Sequence, residues 1–71
     1  MQGDKFRSIL NKARRQQGKT LRQVQDELGY SHGTIDGWES GYRTPDINRF
    51  IEWANYLGYD VILARRRDNG E

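Results

Sequence analysis

The sequence predicts an all-α domain of four short helices closed by a short C-terminal β-strand. Three observations carry the prediction. Apolar residues recur at spacings of three and four up to Leu57, glycines follow the periodic runs at positions 18, 29, 41 and 58, and Asp60 to Ala64 alternates apolar residues in a β-branched run. A chain of 71 residues makes one small domain, with a core that leaves little stability in reserve. The absence of cysteine removes disulfides and thiolate metal sites and fits a reducing cytoplasm.

Taken in order, Asp4 can cap a first helix in which Phe6, Ile9, Leu10 and Ala13 face inward and Gly18 marks the stop. Thr20, followed three residues later by Gln23, has the pattern of a capping box, and Leu21, Val24 and Leu28 then share one face before Gly29 ends a second, short helix. Ser31 is placed to cap a third helix, with Tyr30 and Ile35 at the staple positions, Ile35 and Trp38 pointing inward and Gly41 closing it. Thr44 before Pro45 is a cap followed by a favoured first-turn residue, opening a fourth helix with Ile47, Phe50, Ile51, Ala54 and Leu57 on its buried stripe. Beyond Gly58, Val61 and Leu63 fall on one face of an extended segment and Ile62 and Ala64 on the other, which makes residues 59–65 a strand and residues 66–71 a flexible tail.

Charge is unevenly placed. Residues 1–35 hold seven Lys/Arg against three Asp/Glu, residues 36–64 hold two against five, and the last seven residues hold three against two. A basic half is compatible with nucleic acid and equally with ordinary solvated helix surfaces. Enzyme classes fit poorly: there is one histidine, no cysteine, no phosphate-cradling glycine loop and no paired carboxylates in an evident cleft, so neither catalysis, a cofactor nor a metal site is expected. The longest apolar run, Val61 to Ala64, is far short of a membrane span. A cytoplasmic, nucleoid-associated protein is expected.

Helices two and three, joined by a glycine turn, form a helix-turn-helix unit. The stretch TLRQVQDELGYSHGTIDGWESGYRTPDINRFIEWANYLG resembles the lambda-repressor-like helix-turn-helix family, most specifically in WESG and the RTP that follows. The resemblance runs from about Lys5 to Gly58 and implies a DNA-binding domain over residues 1–58. It also implies that Glu39 pairs with Arg14, four residues before Gly18. Two positions depart from the family pattern. Gln25 stands where helices two and three cross and a small residue is usual, so that the crossing widens or Gln25 bends outward. Leu21 replaces a phosphate-binding glutamine, leaving Thr20, Arg22 and Gln23 to contact the backbone.

With Ile35, Trp38 and Glu39 facing inward, the opposite stripe of helix three carries His32, Gly33, Asp36, Gly37 and Ser40, the face that the family lays in the major groove. His32, Thr34 and Asp36 are candidate base readers. Gly33 and Gly37 stand where base-reading side chains are usual, so that bare backbone approaches the bases closely, or else the face is under weak demand. On the first reading leucine at either glycine leaves the helix as steady or steadier and blocks the groove. Ser31, Ser40, Tyr42 and Arg43 are candidate phosphate contacts.

The resemblance, together with the unpartnered strand, implies a homodimer through the C-terminal segment, with Val61, Ile62 and Leu63 in an interchain sheet and Trp53 and Tyr56 in the interface beneath it. The alternative is a strand folded back on its own helices with Trp53 in the core. Three functions fit: a homodimeric repressor of phage or bacterial type acting on a pseudo-palindromic operator in double-stranded DNA, the DNA-binding antitoxin of a toxin-antitoxin pair with a toxin protein as second partner, and a protein-interaction module without DNA binding.

Overall fold

The computed structural model describes residues 2–65, with side chains from Lys5 onward. Four helices follow one another: α1 (Gln2–Gln16), α2 (Leu21–Leu28), α3 (Thr34–Ser40) and α4 (Ile47–Tyr56).

Local chemistry sets most boundaries, and three starts differ from the sequence prediction. Thr20 caps α2, its hydroxyl accepting from the Gln23 N–H at 3.0 Å, and Gly29 ends the helix at φ 76°. Asp4 lies inside α1, since an acidic residue suits the first helical turn, with its exposed N–H groups, as well as the cap itself. The N-cap of α3 is Gly33, without a side-chain hydrogen bond, so Ser31 and His32 belong to the preceding turn and Tyr30 is not in a staple with Ile35. The N-cap of α4 is Asp46, which accepts from the Arg49 N–H at 2.8 Å. Thr44 is engaged elsewhere, its hydroxyl accepting from Arg7 at 3.2 Å. This later start leaves Ile47 exposed in the first turn of α4.

The core consists of Leu10 and Ala13 from α1, Val24 from α2, Ile35 and Trp38 from α3, and Trp53, Ala54 and Leu57 from the last helix and its end. Trp53 has no exposed surface. Its ring lies 5.2 Å from Trp38 and 6.1 Å from Phe6, and Phe6 in turn meets Phe50 edge-on at 4.8 Å, the offset geometries that aromatic pairs favour. Trp53 is therefore the centre of this chain's own core, and its expected place in a dimer interface is corrected: its side chain has no surface left to offer a second chain.

The expected C-terminal strand is also corrected. Among the described residues there is no strand, and 59–65 run as irregular chain. Alternating apolar residues make a strand only where a neighbouring strand takes their N–H and C=O groups. Here the segment is anchored at its start by Tyr59, whose N–H donates to the Ala54 carbonyl at 2.9 Å. Tyr59, Asp60 and Val61 then border a shallow groove with Phe6, Ile9 and Phe50. Ile62 and Leu63 are 76% and 98% exposed. The tail predicted for 66–71 lies outside the described residues.

Candidate nucleic-acid interface

α3 is only seven residues long, too short to persist by itself, and its neighbours hold it from three directions. The first hold is apolar, with Ile35 completely buried and Trp38 nearly so. The second comes from α1. The Arg14 guanidinium forks onto Glu39, Nε to Oε2 at 2.8 Å and Nη2 to Oε1 at 3.1 Å, while Nη1 donates to the Lys19 carbonyl at 2.8 Å. The Asn11 amide donates to Glu39 Oε1 at 2.7 Å. With the two charged side chains only 12% and 9% exposed, this bidentate pair is of the desolvated, geometrically specific kind.

The third hold comes from Gln25, which turns inward at the crossing instead of bending outward. It is 3% exposed, and its Oε1 accepts from the Ile35 N–H at 2.8 Å. Gly33 has no side chain with which to cap α3, so a residue of α2 satisfies one of the orphaned first-turn donors. A polar residue at an inward position of α2, facing a helix that opens on glycine, is the sequence signal for this contact. Arg7, by contrast, was unmarked in the sequence. Its guanidinium donates to the Trp38 carbonyl, to the Arg43 carbonyl at 3.2 Å and to the Thr44 hydroxyl at 3.2 Å, tying the loop after α3 to α1.

The outer side of α3 borders a concave surface on which Gly33, Asp36, Gly37, Ser40, Tyr42 and Arg43 come together, with Leu21 and Asn11 at its edges. Asp36 is exposed and Tyr42 is 84% exposed. Thr34 opens the helix half-buried, its N–H donating to the Ser31 carbonyl at 3.2 Å. The Ser40 hydroxyl donates to the Gly37 carbonyl at 3.2 Å and accepts from the Tyr42 N–H at 3.3 Å, which shapes the turn out of α3.

His32 stands in the turn before α3 and contacts Asp26 at 3.1 Å. Arg22 approaches the same carboxylate at 4.0 Å, its side chain 78% exposed. The Gln23 amide is turned toward Glu27 at 3.5 Å. Tyr56 is half-buried on α4, its hydroxyl donating to Glu27.

The two glycines of the α3 face have different causes. Gly33 has φ 92° and open space where a Cβ would stand. A side chain there is strained whatever room is available, because L residues rarely adopt that backbone conformation. Gly37 has ordinary helical geometry, but a Cβ there would lie 3.1 Å from both Cγ and Cδ of Arg43. Leucine at either position is thus strained or crowded within the chain itself, which corrects the expectation of a helix left as steady or steadier.

No helix among the described residues is long and apolar enough to cross a membrane, and no group of three or more potential metal ligands occurs among them. The helix-turn-helix family profile matches residues 10–62. Comparisons with curated proteins and with solved structures find no match. The matched span includes α2, the glycine turn, α3 with its α1 clamp, and α4: the chain belongs to the lambda-repressor-like helix-turn-helix family, a family of DNA-binding regulators.

Proposed function

We propose that this chain is a sequence-specific regulator of transcription that binds double-stranded DNA as a homodimer, with α3 in the major groove. The observation that carries the reading is the division of α3 into two sides: Ile35, Trp38 and Glu39 are fixed to the rest of the domain, while Asp36 stands open on a concave surface that Tyr42 and Arg43 of the following loop also border. A rigidly held helix with one open side is what reading base edges requires. In this reading Thr34, Asp36 and the bare backbone of Gly33 meet the bases, with His32 at the groove edge. Thr20, Arg22, Gln23, Ser31, Ser40 and Tyr42 contact the phosphates and set the register. Occupying such a site represses wherever it overlaps a promoter.

Dimerisation is supported by the exposed apolar side chains of Ile9, Tyr59, Val61, Ile62 and Leu63, a concentration that a protein surface tends to cover. A second copy seated there sets two α3 helices on a two-fold site, with half-sites about 34–36 Å apart. The same apolar surface also supports the antitoxin reading, in which a toxin protein is an additional partner.

Selection of bound duplexes from a random pool tests the reading. Enrichment of an inverted repeat is expected, with log affinity falling linearly with log salt at a slope of about −0.9 per phosphate contacted. Binding indifferent to salt or sequence refutes it. Sedimentation of the Ile62→Asp, Leu63→Asp double variant tests the dimer: the parent should run as a dimer at micromolar concentration and the variant as a monomer, and identical behaviour excludes this surface.

A further inference from the structure

The outer side of α3 is short of side chains that can read a base pair in two places at once. Asp36 offers only acceptors and Ser40 one hydroxyl already used in the turn, while Gly33 and Gly37 offer none. The missing side chain is supplied by the loop. The Cβ, Cγ and Cδ atoms of Arg43 lie 3.3, 3.1 and 3.1 Å from where a Gly37 Cβ would stand. The arginine stem therefore crosses the outer side of α3 over the one residue of the helix that has room for it. Gly37 is buried beneath it, although it belongs to the open side of the helix.

The Arg43 backbone is fixed on both sides. Its N–H donates to the Gly37 carbonyl at 3.0 Å, and its carbonyl accepts from Arg7 at 3.2 Å, with a second Arg7 nitrogen holding the Thr44 hydroxyl. Among the described residues, none of the ion pairs uses its guanidinium. A planar fork of donors, carried on a stem laid across a groove-facing helix, matches the O6 and N7 acceptors that guanine shows in the major groove. Asp36 on the same surface repels phosphate, which disfavours a phosphate as the partner of the guanidinium there.

We infer that Arg43 is a specificity-determining residue that reads a guanine in the major groove, in place of the side chain that Gly37 lacks, and not a general phosphate contact. The inference rests on the proposed DNA-binding reading and assigns one base of its site.

The experiment is selection from a random duplex pool, followed by affinities for every single-base variant of the selected site, with the full chain and with Arg43→Ala, Arg43→Lys and Gly37→Ala. The parent should prefer one G·C pair per half-site by about tenfold to a hundredfold. Arg43→Ala should abolish that preference and leave the others in place. Arg43→Lys, which keeps the charge but not the fork, should reduce it strongly, and Gly37→Ala, which displaces the stem, should alter preference at the same pair. If Arg43→Ala weakens all sequences by one factor, with base preferences intact and a salt slope shallower by about one contact, Arg43 binds phosphate and the inference is overturned while the DNA-binding reading stands. A parent chain that selects no sequence overturns both.

Discussion

The junction of α1 with α3 and the segment after Gly58 treat their side chains in opposite ways. At the junction, polar groups go inside and each finds a partner: Arg14, Asn11 and Glu39 interlock, and beside them Gln25 of α2 meets the start of α3. After Gly58, apolar groups stay outside, with Leu63 almost fully exposed. Polar groups taken out of water favour folding only when they are hydrogen-bonded, so the junction is complete within one chain. An apolar side chain has no such requirement and gains from any cover, its own or a neighbour's. The comparison separates what holds the fold together from what is available to a partner.

The sharpest way to break the comparison is at Glu39. Glu39→Ala leaves the Arg14 guanidinium and the Asn11 amide unpaired in a mostly buried place, and should cost about 3–5 kcal/mol, read as a lower urea midpoint. A loss under about 1 kcal/mol would place the pair with ordinary surface ion pairs. Next in size, Gln25→Ala strips the buried Ile35 N–H of its acceptor, for about 1–3 kcal/mol in the same assay. Gln25→Glu keeps an acceptor at a helix N-terminus and should recover part of the loss.

A pH titration addresses the contact between α2 and α4. The hydrogen bond from Tyr56 holds the Glu27 carboxyl below its ordinary value of 4.5. A carboxyl with a lowered folded value favours the native state above its unfolded value, and that contribution is lost as pH falls through the folded one. Burial first, and the Glu27 hydrogen bond second, push the Tyr56 hydroxyl up from 10.0 to about 12. Its contribution is present below 10 and disappears as pH rises toward 12. Melting temperature should therefore fall at both ends, and Tyr56→Phe should flatten both flanks.

The smallest effect on stability is expected at the far side of the comparison. Leu63→Asp should leave monomer stability within about 0.5 kcal/mol, since nearly all of the side chain is in water, while weakening self-association in sedimentation. A large loss of monomer stability would mean that the segment packs on its own helices.

Much of the helical frame was legible in local chemistry. Thr20 and Gln23 announce the start of α2, Gly29 and Gly41 announce two ends, and the spacing of Val24, Ile35 and Trp38 announces the inner sides. Their signals act over one or two turns, a range at which sequence neighbours are also neighbours in space. The candidate site was less legible. Arg43 and Gly37 are six positions apart, yet their contact depends on how the turn after α3 folds back, under the grip of an arginine thirty-six positions earlier.

The sequence by itself determined the helix periodicity, most of the stops, the family resemblance and the uneven charge, because propensity, capping and hydrophobic spacing are properties of adjacent residues. Tertiary structure decided the rest. It turned Gln25 inward, since only the packed chain brings an orphaned N–H within reach of that amide. It closed the core around Trp53, since an indole beside a helical stripe can face its own chain or another until all four helices are in place. It left 59–65 without strand structure, since a strand exists only when a second one takes its backbone hydrogen bonds.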